Sequence, residues 1–322
     1  MQRTQNYTLK EYDVATNGIT LHVTEMGQGA AVLFCHGFPD TAYTWRRQMQ
    51  AVAEAGFRAI APDMRGFGRS SAPDDAVEYT PLQTTGDLVG LLDELGLESA
   101  IIVGHDWGAS AAWGAALMRP DRFKAIFNLT IPYVPRGDVS ALDSVRNAGL
   151  ADVFYIFEQV KPEADQIWAD AAVTIPGILY WASASAPDDQ RWSPMVPARS
   201  LYRPAPGPMP TWLDPDYLAF NIAEFQRTGF HGGLNYYRAF EPYFHLSSAF
   251  KGAKVHQPSF YLSGKYDGLN ELYPLSEQQL RDGLPGLVGS VELDNVGHWI
   301  QHEAPDALNK YLIDFIRTVT QS

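Results

Sequence analysis

Cysteine is almost absent from this chain. Cys35 stands alone, so no intramolecular disulfide can form, and its neighbours in AVLFC read as a buried strand, not as a reactive thiol. No run of about 18 apolar residues occurs, which excludes a transmembrane helix, and the N-terminal MQRTQNYTLKEYD lacks the apolar stretch of a signal peptide. A cytoplasmic location is the expectation. Basic residues are scarce as well: 24 Lys and Arg face 37 Asp and Glu, a formal net charge of −13. That balance opposes binding to phosphate backbones and anionic membranes, so neither nucleic acid nor membrane is expected as a partner. Small neutral or apolar molecules fit better.

What is present is an alternation. Strands are expected near 7–14 and 19–25, then at 30–35, 57–62, 99–105 and 123–131, with helices over 43–55, 82–95 and after Trp107. The pattern resumes after Lys251 with strands at 258–264 and 288–293 and helices near 271–283 and 306–318. Strands that alternate with helices predict a parallel sheet covered on both faces. Between 134 and 250 the strand signal disappears. This segment holds Trp168, Trp181, Trp192 and Trp212, and a Pro-rich loop over 186–216. Trp and Pro at this density argue for a packed helical cap, not a flexible linker. The chain therefore divides into a core domain, 1–133 with 251–322, and a cap, 134–250.

The stretch IIVGHDWGAS (101–110) carries the chemistry. A β-favouring run enters Gly104-His105-Asp106-Trp107-Gly108 and small residues open a helix, the outline of a G-x-S-x-G nucleophile elbow with Asp106 at its tip. Asp titrates near about 3.9 when unperturbed and needs no base to become a nucleophile. Attack on saturated carbon makes an alkyl ester of Asp106 itself, and cutting that ester with water does need a base. His298, in DNVGHWIQ after the last strand, is the best placed of the eight histidines, and Asp267, in FYLSGKYDG, completes the order nucleophile, acid, histidine. The oxyanion donors expected are the backbone N–H of Trp107 and that of Phe38 in His36-Gly37-Phe38-Pro39, since Pro39 has none. A cis bond before Pro39 fits such a turn, and His36 is read as orienting the loop. His302 follows His298 by four residues, but Trp299 stands where a zinc protease needs Glu, so no metal is expected. No organic cofactor is implied.

HGFPD (36–40), PDMRGFGRSSAP (62–73), GHDWGA (104–109), GGLNYYR (232–238), SGKYDG (263–268) and GHW (297–299) together resemble the α/β-hydrolase family and, within it, the soluble epoxide hydrolases. The resemblance implies a mostly parallel eight-stranded sheet flanked by helices with an inserted helical cap. It implies two cap tyrosines that protonate an epoxide oxygen: Tyr237 in GGLNYYR, and Tyr155 in DVFYIFEQ, with Tyr180 and Tyr202 left open for the second place. Tyr236, about 100° away on the helix, reads as core. Phe38, Trp107 and Trp299 are expected to line the substrate pocket. The function implied is hydrolysis of an uncharged epoxide to a vicinal diol. Haloalkane dehalogenation by the same Asp, His and Asp is the alternative, because the Trp107 indole could hold halide, and a ligand-binding protein without turnover is the alternative of another class. Monomer and homodimer both stay open.

Overall fold

The structure, a computed structural model, describes residues 8–321. Its strands are β1 (Lys10–Thr16), β2 (Ile19–Gly27), β3 (Ala31–Cys35), β4 (Arg58–Pro62), β5 (Ala100–His105), β6 (Phe123–Leu129), β7 (Ser259–Gly264) and β8 (Leu287–Leu293). They form one sheet in the order β1-β2-β4-β3-β5-β6-β7-β8. Only β2 runs against the rest: it pairs antiparallel with β1 and β4, and every pair from β4 to β8 is parallel. The bounds follow the sequence reading closely except for β1, which starts three residues later than expected; residue 7 lies outside the described residues.

Burial explains the central strands. Every residue of β3 and β5 is buried, as a parallel strand covered on both faces requires. One face of the sheet packs against α2 (Pro81–Glu94) and α3 (Trp107–Met118), the other against α1 (Arg46–Glu54) and the last helix, α13 (Pro305–Thr320). In α13, Leu308, Leu312, Phe315 and Ile316 recur at the spacing of one helical face, and Pro305 opens the helix where its missing N–H costs nothing.

The helix expected near 271–283 is shorter. A 3₁₀ turn at Gly268–Glu271 ends before Pro274, and the next helix, α11 (Glu277–Gly283), begins only after it. Pro274 disfavours helical backbone at the residue before it. The new start is specified by Ser276 and Gln279, which form a capping box.

Between β6 and β7, the described residues build helices and no strand: α4 (Ala141–Asn147), α5 (Ile156–Gln159), α6 (Ala164–Trp168), α7 (Ala171–Trp181), α8 (Pro215–Thr228), α9 (His231–Arg238) and α10 (Phe240–Leu246). Trp168, Ile175, Ile178, Phe230 and Leu234 join one hydrophobic cluster with Phe38, Met64, Phe67 and Ile102 of the sheet side. The stretch between α7 and α8 is irregular but anchored. Trp181 Nε1 donates to Pro204 O at 3.1 Å, Trp212 Nε1 to Ser185 Oγ at 3.0 Å, and Ser193 Oγ to Glu271 Oε2 at 2.8 Å. Two bonds tie α8 to the loop after β3: Tyr217 OH to Asp40 Oδ1 and Asn221 Nδ2 to Pro39 O, both 3.0 Å. The carboxyl ends of β3, β5, β6, β7 and β8 thus lie along one edge beneath the insertion, where sheets of this type hold their ligands. Among the described residues, no helix is long and apolar enough to cross a membrane.

Candidate active site

Asp106 leaves β5 with φ 54° and ψ −121°, a backbone conformation that L side chains rarely adopt. The surroundings tolerate no bulk. A Cβ on Gly108 would lie 2.1 Å from the carbonyl oxygen of Cys35, so α3 could not approach the sheet this closely with a larger residue there. The elbow projects the carboxylate over the sheet edge. Phe38 N–H donates to its Oδ1 at 2.9 Å, and the N–H of Trp107 also acts on it. Burial pushes the Asp106 carboxyl above the usual carboxylate range, while His298 and these two N–H groups oppose the rise. A desolvated carboxylate held by two N–H groups has the chemistry of a nucleophile whose charge has a place to return to.

Asp267 uses its two oxygens for two tasks. Oδ1 accepts the Leu269 N–H at 3.0 Å and caps the following turn, and Oδ2 accepts from His298 Nδ1 at 3.0 Å. That bond assigns the proton to Nδ1 and turns the Nε2 lone pair toward Asp106, 3.8 Å away from its Oδ2. Burial acts to lower the His298 pKa, but the charges of Asp267 and Asp106, with Glu303 behind them, lift it above the ordinary value.

Glu303 is a residue that sequence reasoning missed. Its Oε2 accepts the N–H groups of Ala184 at 2.8 Å and Gly297 at 3.0 Å, and its Oε1 that of Trp299 at 3.0 Å. One partly buried carboxylate therefore clamps both neighbours of His298 and a residue of the insertion. His298 N–H donates in addition to Ala182 O at 2.9 Å. The only sequence signal was a glutamate five residues after the histidine, and nothing in that spacing reveals three backbone donors.

The structure brings both expected tyrosines to this site. Tyr237 packs edge to face on Trp107 (ring centroids 4.9 Å), Phe38 (5.5 Å) and Tyr155 (6.1 Å). Burial and the Asp106 charge hold its pKa well above the ordinary phenol value, with the Trp107 side chain acting the other way. Tyr155 is raised likewise, by burial and then by Tyr237 and Asp106. Tyr202, an alternative for the second place, instead donates to Glu158 Oε1 at 3.0 Å, and Tyr180 packs on Trp181. Tyr236 donates to Arg65 O at 3.1 Å and packs on Phe67, as a core residue does. α9 can sit this low because Gly232 meets Gly66 backbone to backbone: a Cβ on Gly232 would lie 2.3 Å from Gly66 O.

A cavity of about 500 Å³ opens on the outer side of Trp107, walled by Trp107, Ile131, Tyr133, Phe240, Tyr243 and Tyr273 among others; Asp106, Tyr155, Tyr237 and His298 do not line it. Of the three expected pocket residues, only Trp107 lines it. Trp299 is fully buried behind His298, with its ring edge-on at 4.8 Å and its indole N–H donating to Ile178 O at 3.3 Å. The chain turns into α12 (Ile300–Glu303) directly after it, which carries the indole under the insertion. The Phe38 ring is covered by Trp168 and Tyr237, so this residue faces the site through its N–H. The Phe38-Pro39 bond is cis. His36 holds the same loop, with Nδ1 donating to Gly37 O and Nε2 accepting the Met64 N–H, both at 2.9 Å; burial pushes it down to about 4, so it stays neutral. His302 bonds Thr44 Oγ1 at 2.8 Å.

Residues 30–305 match the alpha/beta hydrolase fold family. The chain is 69% identical to an epoxide hydrolase of Caballeronia sordidicola over 97% of its own length and 94% of that protein. It is 36% identical to epoxide hydrolase A of Mycobacterium tuberculosis, covering 94% and 96%. The crystal structure of epoxide hydrolase A from Mycobacterium thermoresistibile superposes with a TM-score of 0.88 at 38% identity, covering 96% and 98%. An epoxide hydrolase from an endophytic Streptomyces superposes with 0.90 at 34% identity, covering 98% and 97%. With the elbow, the paired tyrosines and the sheet order already in place, these likenesses assign the chain to the α/β-hydrolase fold family and, within it, to the epoxide hydrolases.

Proposed function

We propose that this enzyme opens an uncharged organic epoxide to a vicinal diol in two steps through an ester on Asp106. In the first, a carboxylate oxygen of Asp106 bonds to a ring carbon, the C–O bond of the ring breaks, and its electron pair goes to the epoxide oxygen. Tyr155 and Tyr237 donate hydrogen bonds to that oxygen and supply its proton. In the second, His298 takes a proton from water, the hydroxide adds to the ester carbonyl, and the Phe38 and Trp107 N–H groups stabilise the oxyanion. The acyl C–O bond then breaks, its oxygen takes the proton from His298 and leaves as the second hydroxyl of the diol, and the proton left on the Asp106 carboxyl replaces the one the tyrosine gave.

The observation that carries this reading is the pair of phenols, Tyr237 buried and Tyr155 partly so, packed ring to ring beside the largely desolvated Asp106 carboxylate. An alkoxide is a poor leaving group that gains from a proton donor; a halide needs none. Trp107 fits this reading, since its indole packs edge-on against the Tyr237 ring at 4.9 Å and so lies beside a proton donor. The intact set Asp106, His298 and Asp267 likewise disfavours a binder without turnover. Replacing Tyr237 by Phe should lower the rate of Asp106 alkylation by roughly 10²-fold, with ester hydrolysis nearly unchanged. Stopped-flow single turnovers separate the two rates, and an unchanged alkylation rate would remove Tyr237 from the mechanism.

The charges around His298 predict its pH behaviour. Its pKa in the free enzyme is raised, in part by Asp106, and forming the ester neutralises that carboxylate. The pKa of His298 must then fall, so the histidine is deprotonated when a base is required. Hydrolysis of the ester should decline as pH drops through this lower value, so its midpoint lies below the one at which the His298 ring titrates in free enzyme. Ring NMR and single-turnover hydrolysis measure the two; coincident midpoints would show that Asp106 does not act on His298.

A further inference from the structure

Glu303 closes α12 and sends its carboxylate back to the turn that carries His298. Its bonds reach Gly297 before the histidine, Trp299 after it, and Ala184 in the insertion. The insertion comes this close because Gly297 has no side chain: a Cβ there would lie 2.6 Å from both Ala182 O and Ala184 N. Among the described residues, no Lys or Arg forms an ion pair with Glu303. The insertion's Arg191 donates instead to Ser183 O, Ala186 O and Asp188 Oδ1. Three N–H donors favour the ionised carboxylate against the burial that raises its pKa. Its charge therefore stays beside His298, with no cation to cancel it.

The titratable groups that face His298 come from four elements. Asp267, on the turn after β7, accepts from Nδ1 at 3.0 Å, and Asp106, at the elbow, lies 3.8 Å from Nε2. His105, at the end of β5, donates from Nε2 to His298 O at 2.9 Å, and burial keeps it neutral. Glu303 is the fourth, and it acts on the ring through its charge.

These charges do not weigh equally on the two steps. Esterification removes the charge of Asp106. The imidazolium that forms as water gives up its proton is then left with Asp267 and Glu303 as its carboxylates. We propose that Glu303 is a positioning residue for the second step: it fixes the backbone on both sides of His298, ties that turn to the insertion, and stabilises the imidazolium while the ester is cut. This assignment rests on the two-step epoxide reading. The first step uses Asp106 and the tyrosines, none of which Glu303 holds.

The test uses the full chain with styrene oxide in single turnovers. Glu303→Gln removes the charge and turns amide hydrogens toward N–H groups that need an acceptor. Ester hydrolysis should fall by about tenfold while alkylation changes by less than about threefold. Glu303 raises the His298 pKa, so losing its charge should move both the NMR titration of the His298 ring in free enzyme and the midpoint of ester hydrolysis to lower pH. Glu303→Asp keeps the charge but is one methylene short of its three donors. Hydrolysis should slow in this variant too, with both midpoints moving less than half as far. If Glu303→Gln hydrolyses the ester at the original rate with both midpoints unmoved, Glu303 only caps α12 and the proposal is overturned. Equal losses in the two steps with an unmoved ring titration overturn it as well. Should Glu303→Gln not fold, Glu303→Asp decides: slower hydrolysis with alkylation intact supports the role, and equal losses refute it. If the unaltered chain forms no ester with any epoxide, the epoxide reading itself fails and this role falls with it.

Discussion

The His298→Gln variant treated with styrene oxide should gain the mass of one epoxide on Asp106 and keep it, while diol release falls by about 10³-fold or more. The first step needs an ionised carboxylate and two phenols, and none of these depends on the histidine for a proton. The second step needs a base within reach of a water beside the ester, and Nε2 of His298, held by the Nδ1 bond to Asp267, is that base. Glutamine fills similar space but cannot take the proton. Intact-protein mass spectrometry after brief exposure, followed by peptide mapping to Asp106, checks this. A variant that turns over normally, or one that shows no adduct with any epoxide, would contradict the two-step scheme. A chloroalkane should give no adduct; if it alone did, the leaving group would be halide.

Asp106→Ala should abolish the reaction altogether, with a loss of at least about 10⁴-fold and no adduct from any epoxide. It differs from the histidine variant in kind, since it stops the first step and not the second. A second consequence follows from charge alone. Asp106 is one of the carboxylates that raise His298, so the His298 ring in Asp106→Ala should titrate at lower pH than in the unaltered enzyme, in the direction that esterification produces. NMR of the ring tests it, and an unmoved titration would mean that Asp267 and Glu303 hold the histidine unaided.

Much of this was legible in local pattern, because local backbone constraints produced it. GHDWG announces itself since the strained turn at Asp106 admits only small neighbours such as Gly108. Asp267 and His298 follow from chain order at the ends of β7 and β8. Asp267 both caps the following turn and holds His298, because its two oxygens go to different partners. Tyr237 was found through GGLNYYR, whose Gly232 lets α9 descend onto Gly66. The failures are tertiary. Trp299 adjoins the histidine in sequence yet points into the protein, because adjacency does not specify the side of the turn. The helix expected near 271–283 would have to run through Pro274, and the chain instead breaks there into a turn and a shorter helix. Glu303 gains its significance only when distant segments close around it and three backbone N–H groups converge on its carboxylate.

The central claim is that an oxygen of Asp106, not of water, enters the diol first. With enzyme in molar excess over styrene oxide in water enriched in 18O, a single turnover should release diol without label and leave 18O in the Asp106 carboxylate, because hydroxide adds to the ester carbonyl carbon and not to the ring. Later turnovers by the same enzyme then deliver label to the diol. Mass spectrometry of the diol and of the Asp106 peptide reads both. Label in the diol of the first turnover, with none in Asp106, would mean direct attack by water on the ring and would contradict the account.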